Sequence, residues 1–319
     1  LYQNSYISSL KVLFDEVVLC SVPEGEQSKS LSQYTDIVDT ILKSKVERST
    51  PVIVIGGGVT GDLGGFAAAS ALRGMPLIHI PTSLLAMVDS SIGGKTGINH
   101  SVGKNLIGAF YSPVAVFADL QFLETLPQKE IANGLGEVIK YGMISTPSII
   151  EDLEKLPISE PFVYSKDWEH LVAICAKIKA DIVAKDFKES GLREILNFGH
   201  TFAHVIERVR GYKNSSHGEA VFMVNAGTVG MSGAVKLSNL LGFNIDIANL
   251  SVFRALYTSK FDPEESVVEL TELMLHDKKV KDGSIKVIML EKPGIARSRI
   301  IQDVSVIQES WKFIIEEFK

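Results

Sequence analysis

The sequence predicts an α/β N-terminal domain followed by a mainly α-helical C-terminal domain. Three observations carry that prediction. Short runs rich in Val, Ile and Leu alternate with helical runs up to about residue 126, which implies a parallel sheet covered by helices. A glycine turn joins one of those strands directly to a helix of small residues. From Pro127 onward the apolar spacing becomes helical. With 319 residues there is room for two ordinary domains, placed at 1–126 and 127–319.

Taken in order, Glu16–Ser21 reads as a strand and Ser30–Val46 as an amphipathic helix. Pro51–Ile55 is an uninterrupted apolar strand, followed by the glycine turn and a helix from about Asp62 to Leu72. Pro76–Ile80 and Ala115–Ala118 are further strands, and a merely flexible loop is the plain alternative for the glycine-rich stretch between them. In the second half, Leu171, Ile174, Cys175, Ile178, Ile182 and Val183 form one stripe of a helix from Trp168 to Lys185. Glu219–Leu241 and Pro263–Leu275 are similar, and a hairpin-like piece, Lys281–Leu290, interrupts them.

Composition excludes several classes. A net charge of −6 with no basic stripe argues against nucleic-acid binding. No apolar run reaches the roughly 18 residues of a membrane span. Cys20 and Cys175 are two and far apart, so a disulfide framework is not expected and a reducing, cytoplasmic setting is favoured. No targeting segment is visible.

The chemistry lies in five segments. Gly56-Gly57-Gly58-Val59-Thr60-Gly61-Asp62 fits G-x-G-x-x-G between a strand and a helix, the pattern of a Rossmann-like nucleotide-binding domain. No acidic residue about twenty positions on, near Thr82 and Ser83, completes a ribose site, so a plain tight turn is the alternative. Glu26 and Lys29 follow the first expected strand, where cofactors meet open α/β sheets; a solvated loop is the simpler reading. Asp89, Lys95, Lys104 and Asn105 lie in the glycine-rich stretch, whose backbone donors and lysines suit an anion. Glu137 and Lys140 share a helix face; as a surface pair they would be worth only about 0.3 kcal/mol. Their glycine and aliphatic neighbours place them inside, and a buried carboxylate needs a partner, so Glu137 is a candidate zinc ligand.

The fifth segment holds three of the seven histidines within eighteen positions: His200, His204 and His217. His200 and His204 are four apart on one helix face, and two or three such imidazoles with an outside carboxylate make a zinc site with an open position. The alternative is one core histidine, one cap and one solvated ring. Lys179, Glu189, Arg193 and Asn197 precede them and Lys278 and Lys279 follow, giving a locally cationic pocket in an acidic chain.

Together these stretches resemble the 3-dehydroquinate synthase family. The likeness is carried by Gly56–Leu63, Leu72–Gly74, Val88–His100, Gly103–Tyr111, Glu137–Gly142, Leu196–Thr201 and His217–Val221, in family order. The resemblance implies a dehydroquinate synthase-like fold, a homodimer, and binding of NAD and one divalent metal, zinc or cobalt. It implies that Glu137, His200 and His217 ligate the metal, and that His204 faces the substrate instead. Glu26, Lys29, Gly57, Gly58, Val59, Asp62, Thr82, Ser83 and Lys104 would line the NAD site, shared with Asp89 and Lys95. Asn105, Lys140, Lys179, Glu189, Arg193, Asn197 and Lys278 would join Asp89 and Lys95 around substrate, with Arg73 reaching across the dimer.

The implied substrate is 3-deoxy-D-arabino-heptulosonate 7-phosphate. It would be oxidised by NAD, lose phosphate by elimination, be re-reduced and ring-opened, and close by an intramolecular aldol step. The family's first strand–helix–strand portion, with the acidic residue for the adenosine ribose, is expected ahead of Leu1. Rival readings are a 2-epi-5-epi-valiolone or 2-deoxy-scyllo-inosose synthase, a metal-dependent alcohol dehydrogenase of the glycerol dehydrogenase type, and a non-catalytic scaffold. Arg193, Asn197 and His204 follow the dehydroquinate synthase pattern, and Lys95, Lys104 and Arg193 form an anion clamp the dehydrogenase would not need.

Overall fold

A computed structural model describes residues 2–156, 162–209, 229–245, 261, 263–275 and 284–319. The chain divides into two compact units, Leu1–Ile131 with Ser159–Lys188, and Ala132–Ile158 with Glu189–Lys319. The elements begin with α1 (Tyr2–Leu13), α2 (Leu31–Lys43), β1 (Val52–Gly56), α3 (Gly58–Ser70), β2 (Leu77–Pro81), β3 (Lys95–His100), β4 (Gly103–Phe110) and β5 (Ala115–Val116). They continue with α4 (Gln128–Ile144), α5 (Ser148–Lys155), α6 (Lys166–Lys185), α7 (His200–Val209), α8 (Val229–Leu240), α9 (Val267–Leu275), β6 (Ile285–Lys292), β7 (Ile295–Ile301) and α10 (Val304–Phe318). No described helix is long and apolar enough to cross a membrane.

In the first unit β1, β2 and β5 form a parallel sheet in that order, with Ile53 opposite Ile78 and Ile78 opposite Ala115. Such strands read as continuous apolar runs because both faces are covered, which is why β1 and β2 fall where the sequence placed them. The Ser30 hydroxyl caps α2 by accepting from the Gln33 amide. Its apolar face puts Ile37 against Leu63 and Ala67 of α3. The Ser165 hydroxyl caps α6 in the same way, and the buried stripe of α6 runs through Trp168, Leu171, Cys175 and Ile182.

Three readings are corrected here. Glu16–Ser21 is not a strand: no regular structure forms there, and Val18 and Leu19 are 46% and 53% exposed, so no neighbour completes a ladder. The helix after the glycine turn starts at Gly58 rather than Asp62, because the turn's last glycines are themselves its first helical residues. The glycine-rich stretch is not a loop but the antiparallel hairpin β3–β4, with Ile98 opposite Ile107. Its glycines answer to close packing: a Cβ on Gly108 would lie 2.1 Å from the Thr96 carbonyl oxygen. Where the hairpin meets α3, a Cβ on Gly65 would lie 2.6 Å from Thr96 Cγ2.

The second unit is helical around one hairpin. Phe202 of α7 meets Trp311 of α10 edge-on at 5.1 Å, and the Trp311 indole N–H donates to Met274 Sδ of α9 at 3.0 Å. The hairpin joins β6 to β7 through Pro293 and Gly294, with Ile285 opposite Ile301. The hairpin-like piece expected at Lys281–Leu290 is thus the first strand of this hairpin, with Leu290 mid-strand; residues 276–283 lie outside the described ones. Likewise 219–228 of the expected Glu219–Leu241 helix lies outside, and α8 covers the rest.

Candidate functional site

In the first unit, α3 begins directly at the end of β1, with Gly57 as an N-cap that supplies no side-chain acceptor. The first amides of the helix therefore point outward with their positive dipole end, a ready anion site. Serine hydroxyls stand close to the glycines of this turn. A Cβ on Gly57 would meet Ser83 Oγ at 3.4 Å, and one on Gly58 would meet Ser90 Oγ at 3.0 Å. Thr82 is buried beside them, its amide donating to the Gly56 carbonyl at 3.0 Å. Val59 is half-buried in the same first turn.

Lys29 is 4% exposed and binds Asp62 at 2.7 Å, while also donating to the Asn105 side chain. Glu26 lies 3.8 Å from the same ammonium. Asn99 closes the circle: its side-chain amide donates to Glu26 at 2.8 Å, and its carbonyl oxygen accepts from the Asn105 amide at 2.9 Å. Burial pushes the Asp62 carboxyl up, against the opposing pull of Lys29. Asn99 was not singled out in the sequence, because its role depends on how the hairpin returns the chain to Asn105. Asp89 is the penultimate residue of a π-helical turn, Ala86–Ser90, and pairs with Lys179 of α6 at 2.9 Å. Lys95 and Arg73 are exposed, and Lys104 is half-buried.

In the second unit, α4 presents Glu137 and Lys140 on one inward face, each 1% exposed and paired with the other. The burial expected from their glycine and aliphatic neighbours is present. His200 opens α7 after Gly199, whose φ of +80° lies in the left-handed region that a side chain would strain. His200 is buried, with Nδ1 3.2 Å from the Phe198 carbonyl oxygen. A carbonyl only accepts, so Nδ1 is the donor, which in the neutral ring leaves the Nε2 lone pair for a metal. The His204 ring stands 5.9 Å away at 86°. No group of three metal-binding side chains forms among the described residues. His217 and Lys278 lie outside them.

Glu189 adopts φ of 58° and accepts from the Asn197 side-chain amide at 2.6 Å. Five non-glycine residues among those described have positive φ: Lys45, Leu72, Arg73, Asn105 and Glu189. Three of the five are residues the sequence had singled out, and strain of this kind gathers at functional sites. Burial singles out other residues among the sequence candidates. Lys29, Lys140, Lys179 and Arg193 are the only buried Lys or Arg among the described residues, and all four are sequence candidates. Such side chains are almost never fully buried without partners.

Residues 19–133 match the family model described as 3-dehydroquinate synthase N-terminal, and residues 134–280 the one described as 3-dehydroquinate synthase C-terminal. A 3-dehydroquinate synthase of Psychrobacter arcticus is 44% identical over 299 residues, 93% of this chain and 75% of that relative. The chain belongs to the 3-dehydroquinate synthase family. A 2-epi-5-epi-valiolone synthase from Streptomyces hygroscopicus subsp. jinggangensis 5008, solved with NAD+ and Zn2+, matches with a TM-score of 0.84. It is 25% identical, covering 98% of this chain and 87% of its own. A 2-deoxy-scyllo-inosose synthase solved with carbaglucose-6-phosphate, NAD+ and Co2+ gives 0.75 at 26% identity, over 92% and 81%. The fold is thus shared with sugar phosphate cyclases, while sequence identity is much higher to the dehydroquinate synthases than to the two rival cyclases.

Proposed function

We propose that the chain converts 3-deoxy-D-arabino-heptulosonate 7-phosphate to 3-dehydroquinate and inorganic phosphate, a carbon–oxygen lyase step of the shikimate pathway. The observation that carries this reading is the match of both halves of the chain to the 3-dehydroquinate synthase family models. The 44% identical relative bears the same name along both halves of the chain.

The donors suit both cofactors. A carboxylate at Glu137 and an imidazole at His200 whose Nδ1 donates to a carbonyl fit zinc, with His217 as the third ligand. The uncapped start of α3 and the glycines beside Ser83 and Ser90 fit a dinucleotide pyrophosphate. When bound, zinc supplies Lewis acidity toward the substrate hydroxyls, and NAD a reversible hydride acceptor.

The protein side chains then position and move protons. Lys29 holds Asp62, with Glu26 close by, and Lys104 adds charge beside the dinucleotide. Lys179 fixes Asp89 where it meets both cofactor and substrate. Lys95, Asn105, Lys140, Arg193, Asn197 and Lys278 hold the anionic substrate in position, and Glu189 sets the Asn197 amide. His204 carries a proton at the leaving phosphate. A homodimer with Arg73 reaching across it, a cytoplasmic setting, and domains at 1–126 and 127–319 complete the proposal. The family models meet at 133 and 134, close to that boundary. The test is phosphate release from the heptulosonate phosphate, expected to require NAD and to stop with a chelator. No release from NAD-supplied, metal-loaded protein would overturn it.

A further inference from the structure

Among the hydroxyl-bearing residues of the segment after β2, Thr82, Ser83, Ser90 and Ser91, one stands apart. Thr82 is buried at the end of β2. Ser83 Oγ accepts from the Ala86 amide at 3.3 Å, and the Ser91 hydroxyl donates to the Ala86 carbonyl at 2.6 Å. Ser90 Oγ is buried and makes no hydrogen bond among the described residues. Its position is well defined, because its neighbours on both sides are tethered: Asp89 to Lys179 and Ser91 to Ala86.

A buried hydroxyl without a partner is a standing cost, and native proteins keep few of them without a use. Ser90 faces the glycine turn, since a Cβ on Gly58 would sit 3.0 Å from its oxygen. The hydroxyl and the uncapped amides of α3 are both donors lying side by side. Their common complement is an anionic oxygen. The π-helical turn that carries Ser90 is itself a form found mostly at functional positions.

We infer that Ser90 donates a hydrogen bond to a pyrophosphate oxygen of the dinucleotide seated at Gly57 and Gly58, an inference that rests on the NAD reading above. The test is titration of NADH into wild-type and Ser90→Ala protein, followed by fluorescence, with the thermal midpoint of each cofactor-free protein measured alongside. A hydrogen bond to a charged oxygen is worth roughly tenfold in affinity, so the dissociation constant should rise about tenfold in the variant. The cofactor-free midpoint should stay level or rise, because alanine removes a buried group that lacks a partner. Equal affinities in the two proteins would overturn the inference, and so would an affinity loss accompanied by a matching fall in the cofactor-free midpoint. If the wild type itself binds no NADH, the dinucleotide reading fails and takes this inference with it.

Discussion

At the scale of single residues, the proposal gives His200 and His204 two separate roles that their spacing alone would merge. His200 is buried with Nδ1 toward the Phe198 carbonyl, whereas His204 is only half-buried one turn later. His200→Ala should purify with little metal, while His204→Ala should keep its metal and lose turnover. Metal analysis of the two variants checks this, and equal depletion in both would refute the division. Glu137 and Lys140 give a second prediction. Removing one member of a buried pair strands the other charge, so Lys140→Met should cost roughly 3–5 kcal/mol in metal-free protein. Adding Glu137→Gln should recover part of that loss in denaturant melts. The burial of this pair was legible in the sequence because glycines and aliphatic residues flank it. Asn99 and Ser90 were not legible: one acts through hairpin register and the other through an approach to Gly58 that only the fold brings about.

At the scale of elements, the parallel strands β1 and β2 could be read directly, since burial on both faces leaves an unbroken apolar run. The hairpin β3–β4 could not. Its glycines exist to let backbones and α3 approach, and they erase the alternation that marks a strand. Gly65→Ala should therefore destabilise the protein by about 1–3 kcal/mol, its new methyl meeting Thr96 Cγ2. Thr96→Ser, which removes that methyl and keeps the hydroxyl bond to the Ala109 carbonyl, should restore most of the stability by thermal melting. Strand β2 adds a pH dependence. Burial lowers the His79 imidazole from 6.5 to about 4, so the folded state disfavours its charged form. Its stabilising contribution is complete above pH 6.5 and is lost as pH falls toward 4, amounting to about 3 kcal/mol. Chemical denaturation from pH 7.5 to 4.5 should show this loss in the wild type and a shallower one in His79→Gln.

For the whole molecule, a chain of net negative charge buries four cations among its described residues and has the fold of a sugar phosphate cyclase. The redox chemistry proposed for it is internal, since NAD is reduced and regenerated within one turnover. That is the central claim, and it separates this chain from an alcohol dehydrogenase of related fold, which would accumulate reduced cofactor. The most direct measurement supplies metal-loaded protein with heptulosonate phosphate and NAD at a small fraction of the substrate concentration. Carbocycle is followed by NMR, phosphate colorimetrically and NADH by absorbance at the same time. The expected result is 3-dehydroquinate and phosphate in equal amounts, many turnovers for each NAD, and no steady rise in NADH. Product limited to the NAD supplied, or NADH accumulating as substrate is consumed, would contradict it.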